Sequence, residues 1–414
     1  MLQSLKIYTS DLEVGMFVSA LDRPWLETPF LVQGFLLTSR EQIDELRDYC
    51  SHVFIDTSKS KLLPEQARKL ISAGRKRQPV EAIFPGRPIA AYNDRSDFSE
   101  EQHLADAALD SLLSDIEFIY SEAGDAGRVK VIELRKSVEP LVDSVSRNPD
   151  ACLWIARLKE HDSYTYKHSL GAAIWAVSLG RQLGLPRQDL RSLAMGALLM
   201  DVGKLRIDPE LLTAERALTE DEAEQMRLHV AHGVEIIENS GVINPDVYAM
   251  VAHHHERYDG SGYPQGLRVE DIPPVARIAG IVDSYDAMTS DRSHANAMSP
   301  SEAIKVLYQA RDIEFQAELV EAFIQAIGIY PAGTIVELDS GEIAVVLADY
   351  RTSRLHPKVL VVRDAQKNPI AHPAAVDLST AADGKPLAIR CAHQPGAFGI
   401  DLADAAIQGF APTM

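Results

Sequence analysis

The chain has 414 residues, 46% hydrophobic and 24% charged, which is more than one typical domain and ample material for a core. Its formal net charge of −19 disfavours an extended nucleic-acid backbone as partner, although a metal cluster can reverse the sign locally and admit a small anion. No apolar run reaches the roughly eighteen residues of a membrane span. The N-terminus lacks a signal-peptide pattern, and Cys50, Cys152 and Cys391, far apart and without a CxxC, read as reduced thiols of a cytoplasmic protein.

Residues 1–57 read as a small α+β domain. Strands are expected at 14–18, 35–37 and 53–55, with a helix to Tyr49 opened by a capping box of Ser39 and Gln42. Residues 58–98 read as a linker, because Pro79, Pro85 and Pro88 interrupt any helix beyond a short basic one at 69–77. From 99 to 330 the apolar spacing becomes helical. Helices are expected at 103–120, 128–146, 164–183, 190–200, from the Thr219/Glu222 capping box to about Asn239, at 275–289 and at 301–307. Residues 331–414 change to period two, with strands at 334–338, 342–347 and 359–362; the last thirty residues carry no clear pattern. The fold class is mainly α: a helical bundle with a small α+β N-terminal domain and a short β-rich C-terminal extension.

Chemistry concentrates at 251–264, where His253, His254 and His255 are followed by Glu256, Asp259 and a Gly-Ser-Gly turn closed by Pro264. Imidazole and carboxylate suit divalent iron, manganese or zinc. Other candidate ligands fall at helix ends or on single faces: His168, Asp201, His229 with His232 three residues on, and Asp283. A lone residue of this kind usually belongs to a satisfied core or cap. Asp201 and Asp283, however, stand among apolar neighbours, where a carboxylate is costly unless paired or bound to metal. Several such positions in one bundle favour a shared metal site.

The ordered pattern resembles an HD-GYP domain over about residues 100–330. It comprises Asp162-Ser163-Tyr164-Thr165-Tyr166-Lys167-His168-Ser169, Asp201-Val202-Gly203-Lys204, His229, His254-His255-Glu256, Asp259-Gly260-Ser261-Gly262-Tyr263-Pro264 and Asp283-Ser284-Tyr285-Asp286-Ala287. The first sixty residues resemble the small domain often found ahead of it in bacteria. The resemblance implies a metal-dependent phosphodiesterase that hydrolyses the bacterial second messenger cyclic di-GMP to linear pGpG and/or GMP. It implies two divalent ions, iron or manganese. His168, Asp201 and Asp283 would hold one, and Asp201 would bridge to a second held by His229, His254 and His255. A bridging hydroxide would attack phosphorus in line. Lys204 matches the lysine on the scissile phosphate, Gly262, Tyr263 and Pro264 the loop beside the nucleotide, and Arg292 a phosphate-contacting arginine. GGDEF-type or other signalling proteins are implied as partners, and a homodimer is left open.

Three departures from the family pattern stand out. The histidine of the HD pair is Met200, and thioether sulfur is a poor ligand for hard divalent metals. Tyr164 occupies the position of a glutamate that helps some members bind a third metal, so two ions at most are expected. Arg292-Ser293-His294-Ala295 replaces Arg-Pro-Tyr-Arg and loses a basic contact. The alternative to catalysis is therefore a weakened module that binds cyclic di-GMP or protein partners as an effector. A hydrolase of another nucleotide is the third reading.

Overall fold

In the computed structural model, short apolar runs near the N-terminus pair into an antiparallel sheet of β1 (Ser4–Tyr8), β2 (Phe17–Leu21), β3 (Phe35–Leu36) and β4 (His52–Asp56), ordered β1-β4-β2-β3. Helix α1 (Arg40–Tyr49) turns Ile43 and Leu46, three residues apart, onto a core with Ile7, Val18, Val53 and Ile55. The expected capping box is not formed. Ser39 makes no cap hydrogen bond, because Gln42 Oε1 accepts instead from Thr38 N at 2.8 Å and Thr38 Oγ1 at 3.1 Å. These elements belong to one compact unit, Met1–Pro79; Val80–Met414 is a second. The structure describes every residue except 1–3, 10–11, 24–27, 31–33, 57–58, 62–76, 159–163, 215, 243, 291–296, 349–354, 381–386 and 403–414.

The second unit is mostly helical: α2 (Val80–Ile83), α3 (Phe98–Ala126), α4 (Val131–Ser137), α5 (Glu139–Arg147), α6 (Pro149–Leu158), α7 (Tyr164–Gln182), α8 (Arg187–Leu199), a 3₁₀ turn (Val202–Arg206), α9 (Pro209–Leu212), α10 (Glu220–Asn239), α11 (Pro245–His253), α12 (Pro274–Thr289), α13 (Pro300–Ala310) and α14 (Ala317–Ile327). The capping box of Thr219 and Glu222 opens α10. The single helix expected at 128–146 is two, α4 and α5. Pro140, in the first turn of α5, has no N–H to continue the ladder. No helix among the described residues is long and apolar enough to cross a membrane.

Of the segment read as a linker, 62–76, including nearly all of the basic helix, lies outside the described residues. From Val80 onward the segment packs into the helical unit. Ala90 N donates to Gly184 O at 2.9 Å and Tyr92 Oη to Leu185 O at 2.9 Å. Arg87 pairs at 2.7 Å with both Asp189 and Asp246, near the starts of α8 and α11. After the short helix α2, the prolines stop it from continuing as helix without stopping it from packing.

The C-terminal strands β5 (Ile335–Leu338), β6 (Ile343–Ala348), β7 (Lys358–Arg363), β8 (Pro369–Asp377) and β9 (Ile389–His393) form an antiparallel sheet ordered β8-β7-β6-β5-β9. Their period of two separates two faces. Ile335, Ile343, Val345 and Leu360 join the helical core, while Val336, Leu338, Val346 and Val359 form a cluster of their own.

Candidate metal centre

Four helices and one turn bring the candidate ligands together. The 3₁₀ turn after Asp201 lies directly on α10: a Cβ at Gly203 would stand 1.9 Å from His229 O, so only glycine lets the two backbones meet. That approach sets Asp201 opposite His229. Helix α12 is buried nearly all round and carries Asp283 and Asp286 three residues apart, on one face. Helix α7 contributes His168, and the end of α11 contributes His254 and His255.

The result is a cluster in two halves that share Asp201. One contains His168, Asp201 and Asp283; the other Asp201, His229, His254 and His255; in each, the donor atoms lie within 4.8 Å of one another. In the first, His168 Nε2 is 3.1 Å from Asp283 Oδ1 and 3.5 Å from Asp201 Oδ2. In the second, His229 Nε2 is 3.4 Å from His254 Nε2 and 3.2 Å from His255 Nε2. Asp201 Oδ1 lies 3.5 Å from His229 Nε2 and 3.8 Å from His254 Nε2.

Proton placement shows why this cluster suits a cation. His229 Nδ1 donates to Met226 O at 2.7 Å, and His254 Nδ1 faces Met250 O and Val251 O, both at 3.1 Å. Carbonyls only accept, so the protons sit on Nδ1 and the Nε2 lone pairs point inward. Burial, partly offset by Asp201, lowers the His229 pKa and takes His254 down to about 4; burial and His254 lower His255. Neutral lone pairs therefore face one another beside a carboxylate. Asp201 Oδ1 is buried without a hydrogen-bond partner among the described residues. Such an arrangement is costly unless a cation sits within it.

The His168 half is organised differently. Its Nδ1 donates to Asp286 Oδ2 at 2.7 Å, and Asp286 Oδ1 accepts from Trp175 Nε1 at 2.9 Å. This is a carboxylate–histidine relay of the kind that orients metal-bound imidazoles. Burial opposes a charged His168, but hydrogen bonds to Asp201, Asp283 and Asp286 outweigh it and raise its pKa well above the ordinary value. Burial likewise opposes the Asp201 carboxylate, and Lys204, 2.6 Å away, and His168 overcome it and hold its pKa low. Asp283 is held low against burial by His168 and His255.

Over the cluster lies the loop after His255. A Cβ at Gly262 would fall 2.4 Å from both His255 O and Arg257 N, so glycine folds the loop back on its own start. Buried Glu256 staples it, accepting from Gln265 N at 2.7 Å and Leu267 N at 2.9 Å. The Tyr263 ring stacks on His255 at 4.6 Å, with the Arg227 guanidinium 5.4 Å from its centroid.

Residues 152–319 match the HD domain model, and residues 4–131 match a domain of unknown function, DUF3391, across the boundary between the two units. The chain is 33% identical over 378 residues to the cyclic di-GMP phosphodiesterase PA4108 of Pseudomonas aeruginosa, covering 91% of this chain and 89% of that protein. This protein belongs to the HD-GYP family. A stretch of 148 residues is also 39% identical to the cyclic di-GMP phosphodiesterase response regulator RpfG of Xanthomonas campestris, covering 36% of this chain and 39% of that one. A 3′3′-cGAMP-specific phosphodiesterase 2 of Vibrio cholerae is 30% identical over 196 residues, covering 47% and 36%.

Within this HD-GYP chain the structure brings together His168, Asp201, His229, His254, His255 and Asp283, with Lys204 on Asp201 and Tyr263 on His255. Arg292 lies outside the described residues, as do Asp162 and Ser163. His232 and His253 take no part in the cluster. Glu256 and Asp259, singled out as possible ligands, instead build the loop; Asp259 accepts from Ser261 N at 2.9 Å. Met200, at the HD-histidine position, is fully buried in the helical core. Asp286 and Trp175 were not assigned a role from the sequence. The i, i+3 spacing of Asp283 and Asp286 inside an apolar helix was the signal for the first; Trp175 carried none.

Proposed function

We propose that this protein is a bacterial, cytoplasmic, metal-dependent phosphodiesterase that hydrolyses cyclic di-GMP to linear pGpG and/or GMP. The carrying observation is the convergence of both ligand groups on Asp201, whose buried Oδ1 has no hydrogen-bond partner among the described residues. His168, Asp201 and Asp283 would hold one divalent ion, and Asp201, His229, His254 and His255 a second. Imidazole and carboxylate donors suit divalent iron, manganese or zinc, and the family resemblance favours iron or manganese. Bound there, two such ions supply Lewis-acid polarisation of a phosphate and activation of water.

The chain's own groups supply the rest. Asp286 and the α10 and α11 carbonyls fix the imidazoles of His168, His229 and His254 so that their Nε2 atoms face inward. Lys204 lies at the rim, about a third exposed, where its ammonium reaches a phosphate oxygen while anchored to Asp201. There it stabilises charge that grows as water adds to phosphorus and the ribose oxygen leaves with a proton. Tyr263 covers His255 and narrows access beside the nucleotide.

The test is metal analysis and turnover on protein purified without oxygen, with products resolved chromatographically and 3′3′-cGAMP as comparison substrate. Two ions per chain with turnover of cyclic di-GMP are expected. A fully metal-loaded protein that binds the dinucleotide without cleaving it would instead identify an effector module, the reading favoured by Met200. Faster cleavage of 3′3′-cGAMP would reassign the substrate.

A further inference from the structure

The proposed substrate carries two phosphodiesters, and the metal cluster with Lys204 serves one. The other must also be held by a protein of net charge −19, whose overall field opposes a dianion. Among the described residues, cations around the cluster are largely committed. Lys204 is bound to Asp201. Arg257 donates to His254 O and Glu256 O at 3.1 Å, and Arg277 to Ile272 O and Gln316 Oε1 at 2.7 Å.

Arg227 differs from these. It lies in α10, two residues before His229, and is solvent-exposed. Its guanidinium is held over the Tyr263 ring, 5.4 Å from the centroid, and Tyr263 is in turn stacked on His255. It forms no hydrogen bond or ion pair with a described residue. The ring therefore holds an exposed arginine beside the cluster, with its N–H donors unengaged by any described residue. Contact with the ring restricts the guanidinium, which lowers the entropy lost when its fork engages an anion. A phosphodiester is the anion that such a fork fits.

We propose that Arg227, positioned by Tyr263, binds the non-scissile phosphate of the cyclic dinucleotide. The assignment rests on the phosphodiesterase reading above and adds the residue that distinguishes a two-phosphate substrate from a simple diester. It makes Tyr263 a platform for an arginine as well as a cover for His255.

The experiment compares Arg227→Ala and Arg227→Lys with the unaltered full chain, all metal-loaded, on cyclic di-GMP and on bis(p-nitrophenyl) phosphate, which has a single phosphate. Loss of a charge-assisted pair should raise KM for cyclic di-GMP about tenfold or more in Arg227→Ala, with kcat changed much less. Arg227→Lys should recover part of the loss, since lysine keeps the charge without the fork. Kinetics on bis(p-nitrophenyl) phosphate and metal content should stay as in the unaltered protein. An unchanged KM for cyclic di-GMP overturns the assignment. So does an equal loss on both substrates, which would make Arg227 a support for the Tyr263–His255 stack. If the unaltered protein cleaves neither substrate with its metals bound, the phosphodiesterase reading itself fails and the assignment falls with it.

Discussion

The two halves of the cluster share Asp201 and are built on opposite principles. In the three-histidine half, His229 and His254 are oriented by backbone carbonyls of their own helices, so their geometry comes with the helix. In the His168 half, orientation depends on side chains: His168 on Asp286, and Asp286 on Trp175. The His168 half also has two carboxylates to one imidazole, and Met200 stands beside Asp201 at the position of the family's HD histidine. A site oriented by backbone is hard to disturb by substitution. One oriented by a relay of side chains is open to it, so the His168 half should be the weaker.

The largest effect expected tests what the halves share. Asp201→Ala should remove both ions and lower turnover by about a thousandfold or more, since metal catalysis supplies several kcal/mol. Retention of two metals per chain would show that the halves are independent. Next is Lys204→Ala, which should keep its metals and lose about a hundredfold in kcat, the size typical of one charge-stabilising donor. Metal loss in that variant would make Lys204 a structural neighbour of Asp201.

The asymmetry itself is tested by Asp286→Asn, expected to weaken one ion about 10- to 100-fold while the other stays, as for other partners of metal-bound histidines. Metal titration that finds both ions weakened together would break the distinction. In the unaltered protein, mild chelation should likewise remove one ion first and stop turnover at that point. Two ions of indistinguishable affinity would mean another group has replaced the missing histidine. The smallest change is expected from Met200→His, which should narrow the gap by adding an imidazole. Because Met200 is fully buried, thermal unfolding of the same variant should be measured, to separate a lost core contact from a gained ligand.

How much of this was legible beforehand depended on whether the signal was local. The Thr219/Glu222 cap, the apolar run of α8 and the alternation of β5 and β6 depend on neighbours a few residues apart, and the sequence alone determined them. So did the choice of chemistry: buried carboxylates at 201 and 283 and imidazoles at 168, 229, 254 and 255 need a cation or a partner wherever the chain puts them. Short elements flanked by proline, such as α6 and α11, carried too few turns for periodicity to reveal.

Tertiary structure decided what depends on distant approach. In the sequence Gly203 is only one residue of the Asp201–Lys204 motif; the fold shows it as the place where the 3₁₀ turn touches α10, which sets Asp201 against His229. Asp286 and Trp175, 111 residues apart, become the support of His168 only once α7 packs on α12. Residues 80–97, broken by proline, read as a linker, yet Arg87 ties them to Asp189 and Asp246. A residue's type limits the bonds it can make, and its place in the fold decides which of them form.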